Sequence, residues 1–171
     1  CSSDLLGNTQ PLVTGGGGVT VKYKQVSLSA FFHGRFGQSI VNMARMNNES
    51  MYGSSNQSKA VLRRWKNEGD NTDIPRALYN EGRNYLGSDR FVEKASFVRL
   101  KSMTLSYGFP RKICNKFNVN SLSVFVTGYN LFTWTNYTGQ DPEVSVKDNL
   151  AIDTATTPVS KRFSFGLNMS F

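Results

Sequence analysis

The sequence predicts an all-β chain, about five strands of a large transmembrane antiparallel β-barrel, with long extracellular loops, one of them carrying a short helix. Three observations predict it. Apolar and polar residues alternate over runs of about ten residues, the period of a strand with one apolar face. That length suits a tilted membrane strand better than the five or six residues usual in a soluble sheet. Finally, no apolar run of the 171 residues reaches the roughly 20 that a transmembrane helix needs. A mean hydropathy of -0.38 agrees with barrel strands, which are only weakly hydrophobic on average.

The strands are expected near 17–24, 26–37, 96–108, 121–132 and 162–171. In the first, Val19, Val21 and Tyr23 alternate with Thr20, Lys22 and Lys24. Lys24-Gln25 is a tight connection and reads as a hairpin. The second sets Val26, Leu28, Ala30, Phe32, Gly34 and Phe36 against Ser27, Ser29, Phe31, His33 and Arg35. In the third, Met103, Leu105, Tyr107 and Phe109 oppose Ser102, Thr104, Ser106 and Gly108, and Pro110 ends it. Its upper half breaks phase, because Arg99 and Lys101 fall on the apolar side. A bulge would explain that, or the strand rises above the bilayer there. The fourth places Leu122, Val124 and Val126 on one face, with Phe125 and Tyr129 making the other less polar than expected. In the fifth, Phe163, Phe165, Leu167, Met169 and Phe171 alternate with Ser164, Gly166, Asn168 and Ser170.

The connections alternate in length. Lys24-Gln25 is minimal and 109–120 is short, whereas 38–94 and 133–160 are long. Short turns on one side and long loops on the other are the pattern of outer-membrane barrels, with the turns periplasmic and the loops extracellular. Five strands cannot close such a barrel, and an open sheet in lipid leaves costly unpaired edges. The remaining strands are therefore expected from elsewhere: a larger protein of which this is the C-terminal part, or another chain. Within 38–94, "SKAVLRRWKNEGD" has helical spacing at Val61, Leu62 and Trp65, with Ser58 as N-cap and Gly69 as stop. The following "DNTDIPRALYNEG" reads as irregular chain. Trp65 is expected to pin the helix to the loop body; a ligand-stacking role is the sharper alternative. Arg63, Trp65 and Tyr137 are the loop residues proposed to touch a ligand or a lid.

The net charge of +8 fits a solvated basic surface, anionic lipid headgroups or an anionic ligand. The basic residues are scattered without a helix-turn-helix or zinc pattern, so no nucleic-acid partner is expected. Cys1 and Cys114 form no CxxC, so no metal site is expected. Cys1, heading "CSSD", is either a lipidated terminus or the start of a fragment. No catalytic constellation emerges. His33 lies on a polar strand face without a nucleophile elbow, Asp141 and Glu143 flank Pro142 in a loop, and "GGGG" at 15–18 precedes a strand rather than a phosphate-cradling helix. No enzyme and no cofactor are expected.

The chain resembles the C-terminal end of SusC/RagA-type TonB-linked (TonB-dependent) outer-membrane transporters of Bacteroidetes. The resemblance covers essentially the whole chain. It rests on "LLGNTQP", "YKQVSLSAFFHGRFGQSIVN", "RRWKNEGDNTDIPR", "ASFVRLKSMTLSYGFP", "SVFVTGYNLFTWTNYTGQDPEVS" and "RFSFGLNMSF", in that order. It implies a barrel of about 22 strands with an N-terminal plug, located in the cell outer membrane as a multi-pass β-barrel. It further implies active import of oligosaccharides or peptides powered through the TonB complex, with a SusD-like surface lipoprotein as lid. In such a family the lid, not the transporter, is the lipoprotein, which reads Cys1 as a fragment start. The plug, the TonB-contacting part and most strands lie outside this sequence. Phe163, Phe165, Leu167, Met169 and Phe171 then resemble the terminal signal that barrel-assembly machinery reads. The alternative is a surface-lipoprotein β-sandwich binding module beginning at Cys1.

Overall fold

The structure, a computed structural model, describes residues 6–78, 87–143, 146–147 and 150–171. Cys1 and the end of the expected irregular stretch 70–82 lie outside the described residues. The chain forms two compact units.

The first is a five-stranded sheet. Its strands are β1 (Val13–Tyr23), β2 (Val26–Phe36), β5 (Phe97–Gly108), β6 (Ser121–Thr135) and β9 (Arg162–Ser170). They pair in the order β1-β2-β5-β6-β9, each antiparallel to its neighbour. The register carries the alternation across the whole sheet. Val21, Leu28, Leu105, Val126 and Phe165 make one continuous cross-strand row. The next row, on the opposite face, is Thr20, Ser29, Thr104, Thr127 and Ser164. Within it the hydroxyls of Thr20 and Ser29 lie 3.0 Å apart and those of Thr104 and Thr127 2.9 Å apart. A one-residue slip of any strand would exchange the two faces.

Two strands run further than the alternation suggests. β1 begins at Val13, four residues before the expected 17, because the glycine run pairs fully with β2, Gly16 opposite His33 and Gly18 opposite Phe31. The reason is space. A Cβ at Gly16 would lie 3.1 Å from the Phe31 ring and one at Gly18 3.3 Å from it. The glycines therefore leave room for a ring that crosses β1 on the polar face. β6 continues to Thr135 rather than stopping at 132.

The broken phase of β5 is a bulge. Phe31 pairs with Ser102 and Phe32 with Leu100, so Lys101 is an extra residue relative to β2. On the other side Leu100 pairs with Phe132 and Ser102 with Tyr129, which gives β6 a further extra residue. Asn130 absorbs it at φ 53°. The double shift moves Arg99 to the face of Thr104, opposite His33 and Thr133. There its Nε donates to Thr133 Oγ1 at 3.0 Å.

The short connections differ from each other. Lys24-Gln25 is a two-residue turn with Lys24 at φ 53°. The 109–120 connection, expected as a plain turn, contains helix α2 (Arg111–Lys116), which starts from Pro110 and buries Cys114. Six helical residues are too few for an apolar spacing to stand out in the sequence.

The second unit gathers Gln38–Ala95 and Tyr137–Thr157, expected as loops, with the first residues of the chain. It holds a four-stranded sheet ordered β4-β3-β8-β7. The strands are β3 (Ser39–Asn42), β4 (Val92–Lys94), β7 (Val146–Lys147) and β8 (Leu150–Asp153), and β3 and β8 run parallel. Ile40, Ala95, Tyr137 and Ala151 form its core. Helix α1 (Met43–Asn48) follows β3 directly. The expected helix after Ser58 is a 3-10 helix over Lys59–Arg63, with Ser58 Oγ accepting from Ala60 N at 3.2 Å. It ends early because Arg64 turns extended, at ψ 152°. Gly69, expected as the helix stop, instead sits in the next turn at φ 96°. That turn is closed by Asp70, which accepts from the Lys66 and Asn67 backbone N–H groups at 2.9 Å each.

Candidate functional site

The small-sheet unit has one concentrated polar network. Asn42 at the end of β3 caps α1, its side chain accepting from Arg45 N at 2.9 Å. The cap orients Arg45, whose Nε donates to Glu49 Oε1 at 2.9 Å, one helical turn on. One terminal nitrogen of Arg45 also donates to Glu93 Oε1 on β4 at 3.2 Å, and the other lies 3.8 Å from Asp73. Glu93 in turn accepts from the Thr138 backbone N–H at 3.0 Å, from its hydroxyl at 2.8 Å and from Asn42 Nδ2 at 3.3 Å. Three segments far apart in the sequence are thus tied through two charged side chains.

The charges hold each other. Burial works against ionised Glu93, but the bonds from Thr138, Arg45 and Asn42 outweigh it and keep its carboxyl below the usual value. Burial also works against Arg45, and the bonds to Glu49 and Glu93 outweigh it, raising the guanidinium. Burial pushes Tyr137 far above a normal phenol, and its bond to Asp153 adds to the shift.

Beside the network is a cavity of about 570 Å³, lined among others by Asn48, Glu49, Ser58, Arg63, Gln140 and Asp153. Glu49 is 4% exposed, and among the described residues its Oε2 has no hydrogen-bond partner. Arg63 is open to solvent and 3.9 Å from Asp73. A cavity with the exposed guanidinium of Arg63 and the buried carboxylates of Glu49 and Asp153 suits a polar ligand that both donates and accepts. Among the described residues, no group of three His, Cys, Asp or Glu could hold a metal ion.

The residues singled out from the sequence separate. Arg63 lines the cavity. Trp65 is half-buried, its backbone N–H donating to Ile74 O at 2.9 Å. Tyr137, expected as a surface contact, is instead core: its hydroxyl donates to Asp153 Oδ2 at 2.7 Å, and its ring occupies the space that a side chain on Gly139 would need. Asp141 accepts from Glu143 N at 2.9 Å, shaping its own loop. Arg45, Glu49, Glu93 and Thr138 were not foreseen. Only the four-residue spacing of Arg45 and Glu49 could have hinted at them.

On the five-stranded sheet, Phe163, Phe165, Leu167 and Met169 pair with Gly128, Val126, Val124 and Leu122 on one face. Phe163 is 63%, Phe165 81% and Leu167 55% exposed. A sandwich would cover such a face, and this one is open. His33 lies on the polar face, its ring centroid 6.0 Å from that of Phe97.

No family model matches the chain. TonB-dependent receptor P3 of Formosa agariphila is 30% identical over 98% of this chain and 17% of its own length. TonB-dependent receptor P26 of the same organism is 28% identical over 98% of this chain and 18% of its own. The chain thus spans less than a fifth of these relatives. Among solved structures, the RagAB peptide importer in its closed-closed state matches 95% of this chain and 18% of the importer chain, with a TM-score of 0.81 at 28% identity. Its open-open state matches with a TM-score of 0.76 at 27% identity, over 95% of this chain and 17% of that one. With a five-stranded sheet that is two-faced and antiparallel throughout, the chain belongs to the SusC/RagA-type TonB-dependent receptors, as a C-terminal segment of their outer-membrane β-barrel.

Proposed function

We propose that this segment is part of an active importer that takes oligosaccharides or peptides across the outer membrane, energised through TonB and working with a SusD-like surface lipoprotein as lid. The likeness to the RagAB peptide importer, at a TM-score of 0.81 and 28% identity over 95% of the chain, carries the reading. In this proposal the apolar face of the sheet meets lipid and the Thr20–Ser164 row lines the lumen. The unit holding 38–94 and 137–157 is extracellular. Its cavity beside Arg63 and Glu49 offers hydrogen bonds to cargo or lid, with Trp65 close by in sequence. Phe163 through Phe171 serve as the assembly signal.

The test uses the whole transporter in cells. Uptake of labelled oligosaccharides and oligopeptides is compared in the parent strain and in a deletion, and surface lipoproteins that co-purify with the transporter are identified. Loss of one cargo class in the deletion, with a lipoprotein bound in the parent, is expected. Unchanged uptake of both classes would overturn the proposal.

A further inference from the structure

We propose that the helical connection between β5 and β6 is a membrane-surface anchor that binds the headgroups of anionic phospholipids. The first observation is a segregation of charge. The segments that build the five-stranded unit contain ten Lys and Arg and no Asp or Glu. Four of these cations, Lys24, Arg111, Lys112 and Lys116, sit in the two short connections. Gly108 N donates to Gln25 O at 2.8 Å, so those connections lie side by side. Every Asp and Glu of the sequence lies outside the segments that build this unit. The segments of this unit thus offer these cations no acidic side chain as a counter-charge.

The second observation is the helix's own amphipathy. Cys114 is buried, which fixes how α2 is turned. Ile113 and Phe117, four apart, stand on one stripe, 38% and 65% exposed. Lys112 and Lys116, also four apart, stand on the adjoining one. Apolar and cationic stripes side by side are the composition of a helix lying in a lipid interface. Lysine stems can follow the apolar surface while their ammonium groups reach phosphate.

The third observation is continuity with the apolar face of the sheet. Tyr23, Val26, Tyr107, Val124 and Leu167 form the row of that face toward this end. Phe109, immediately before the helix, packs edge-on against Tyr107 with ring centroids 5.2 Å apart. Lys24 Nζ lies 5.3 Å from the centroid of Tyr23. Aromatic rings joined to cations at the end of a lipid-facing band fit the level of the headgroups.

The test is made on the full-length transporter in neutral detergent, offered phosphatidylglycerol or phosphatidylcholine of the same acyl chains, with retained lipid counted by native mass spectrometry. The wild type is expected to retain phosphatidylglycerol in excess, and the excess to shrink at high salt. Lys112→Gln with Lys116→Gln should cut it by about an order of magnitude. Lys112→Arg with Lys116→Arg should keep it, as should Lys161→Gln at the other end of the sheet. Phe117→Ser should lower retention of both lipids alike. Equal retention of the two lipids by the wild type, or an unchanged excess in the double Gln variant, would overturn the proposal and assign the cations to an acidic protein surface. The readout involves no cargo, so it stands apart from the import proposal.

Discussion

The ring of Phe125 on β6 fills the space in which a side chain on Gly166 of β9 would have to lie. The two residues are direct partners across the strands. The arrangement explains an aromatic on the otherwise polar face: the ring lies against a neighbour that has no side chain. Phe31 does the same over Gly16 and Gly18.

Gly166→Ala should therefore destabilise the barrel by about 1–3 kcal/mol, the usual cost of overpacking. Phe125→Leu in the same molecule should recover part of it. Urea unfolding of the folded transporter, followed by its shifted gel mobility, reads both. A Gly166→Ala protein as stable as wild type would show that the ring has another resting place.

The two faces of β9 should tolerate charge differently. Leu167 lies in the middle of the strand on the apolar face, so Leu167→Arg should cost about 2–4 kcal/mol. Ser164→Arg, on the polar face, should cost much less. Lipid-soluble quenchers should dim probes at Phe163, Phe165 and Leu167 and spare those at Ser164 and Asn168. Equal dimming would remove the membrane assignment.

Glu93 gives the small-sheet unit an acid limit. Its carboxyl is held below its ordinary value of 4.5, so its stabilising contribution is complete above that value. It is lost as pH falls from there through the lowered folded value. Protease cleavage within 38–94 should accelerate over that acid range. Glu93→Gln should cost about 1.5–3 kcal/mol at neutral pH, the range for hydrogen bonds to a charged group, and should flatten the acid response. An acid response identical to wild type would place the trigger elsewhere.

Removing Phe171 tests assembly against transport. Burying a phenylalanine side chain contributes about 1.5–3 kcal/mol, too little to unfold a large closed barrel. A signalling role predicts much less inserted protein with normal uptake per molecule. Normal amounts with poor uptake would move Phe171 into the transport step.

Orientation is tested on whole cells. Surface protease should cut within 38–94 before it reaches 109–120. Early cleavage near Arg111 would invert the topology.

The long strands were legible because each repeats one period many times. Lys101 could be recognised as a fault in that period before its pairing was known. The small sheet could not, since its strands have two to four residues and Val41 finds Ile152 across more than a hundred positions. Tyr137 was misplaced for a related reason. An aromatic in a polar loop looks like a contact, and only the carboxylate of Asp153 and the bare Gly139 reveal it as core. The network around Arg45 assembles from three such segments, and local spacing records only one of its pairs.

The stagger at Lys101 makes the wall a keyed joint. From Leu28 to Arg35 β2 takes seven steps, while β5 takes eight from Leu105 to Phe97 and β6 nine from Val126 to Thr135. A plain ladder could slip by two residues and restore its alternation. This one cannot, because the surplus residues would no longer face each other and the turn of backbone at Asn130 would meet regular strand. Load applied along the strands is then carried by the whole row at once, so the sheet resists sliding as a unit instead of creeping strand by strand.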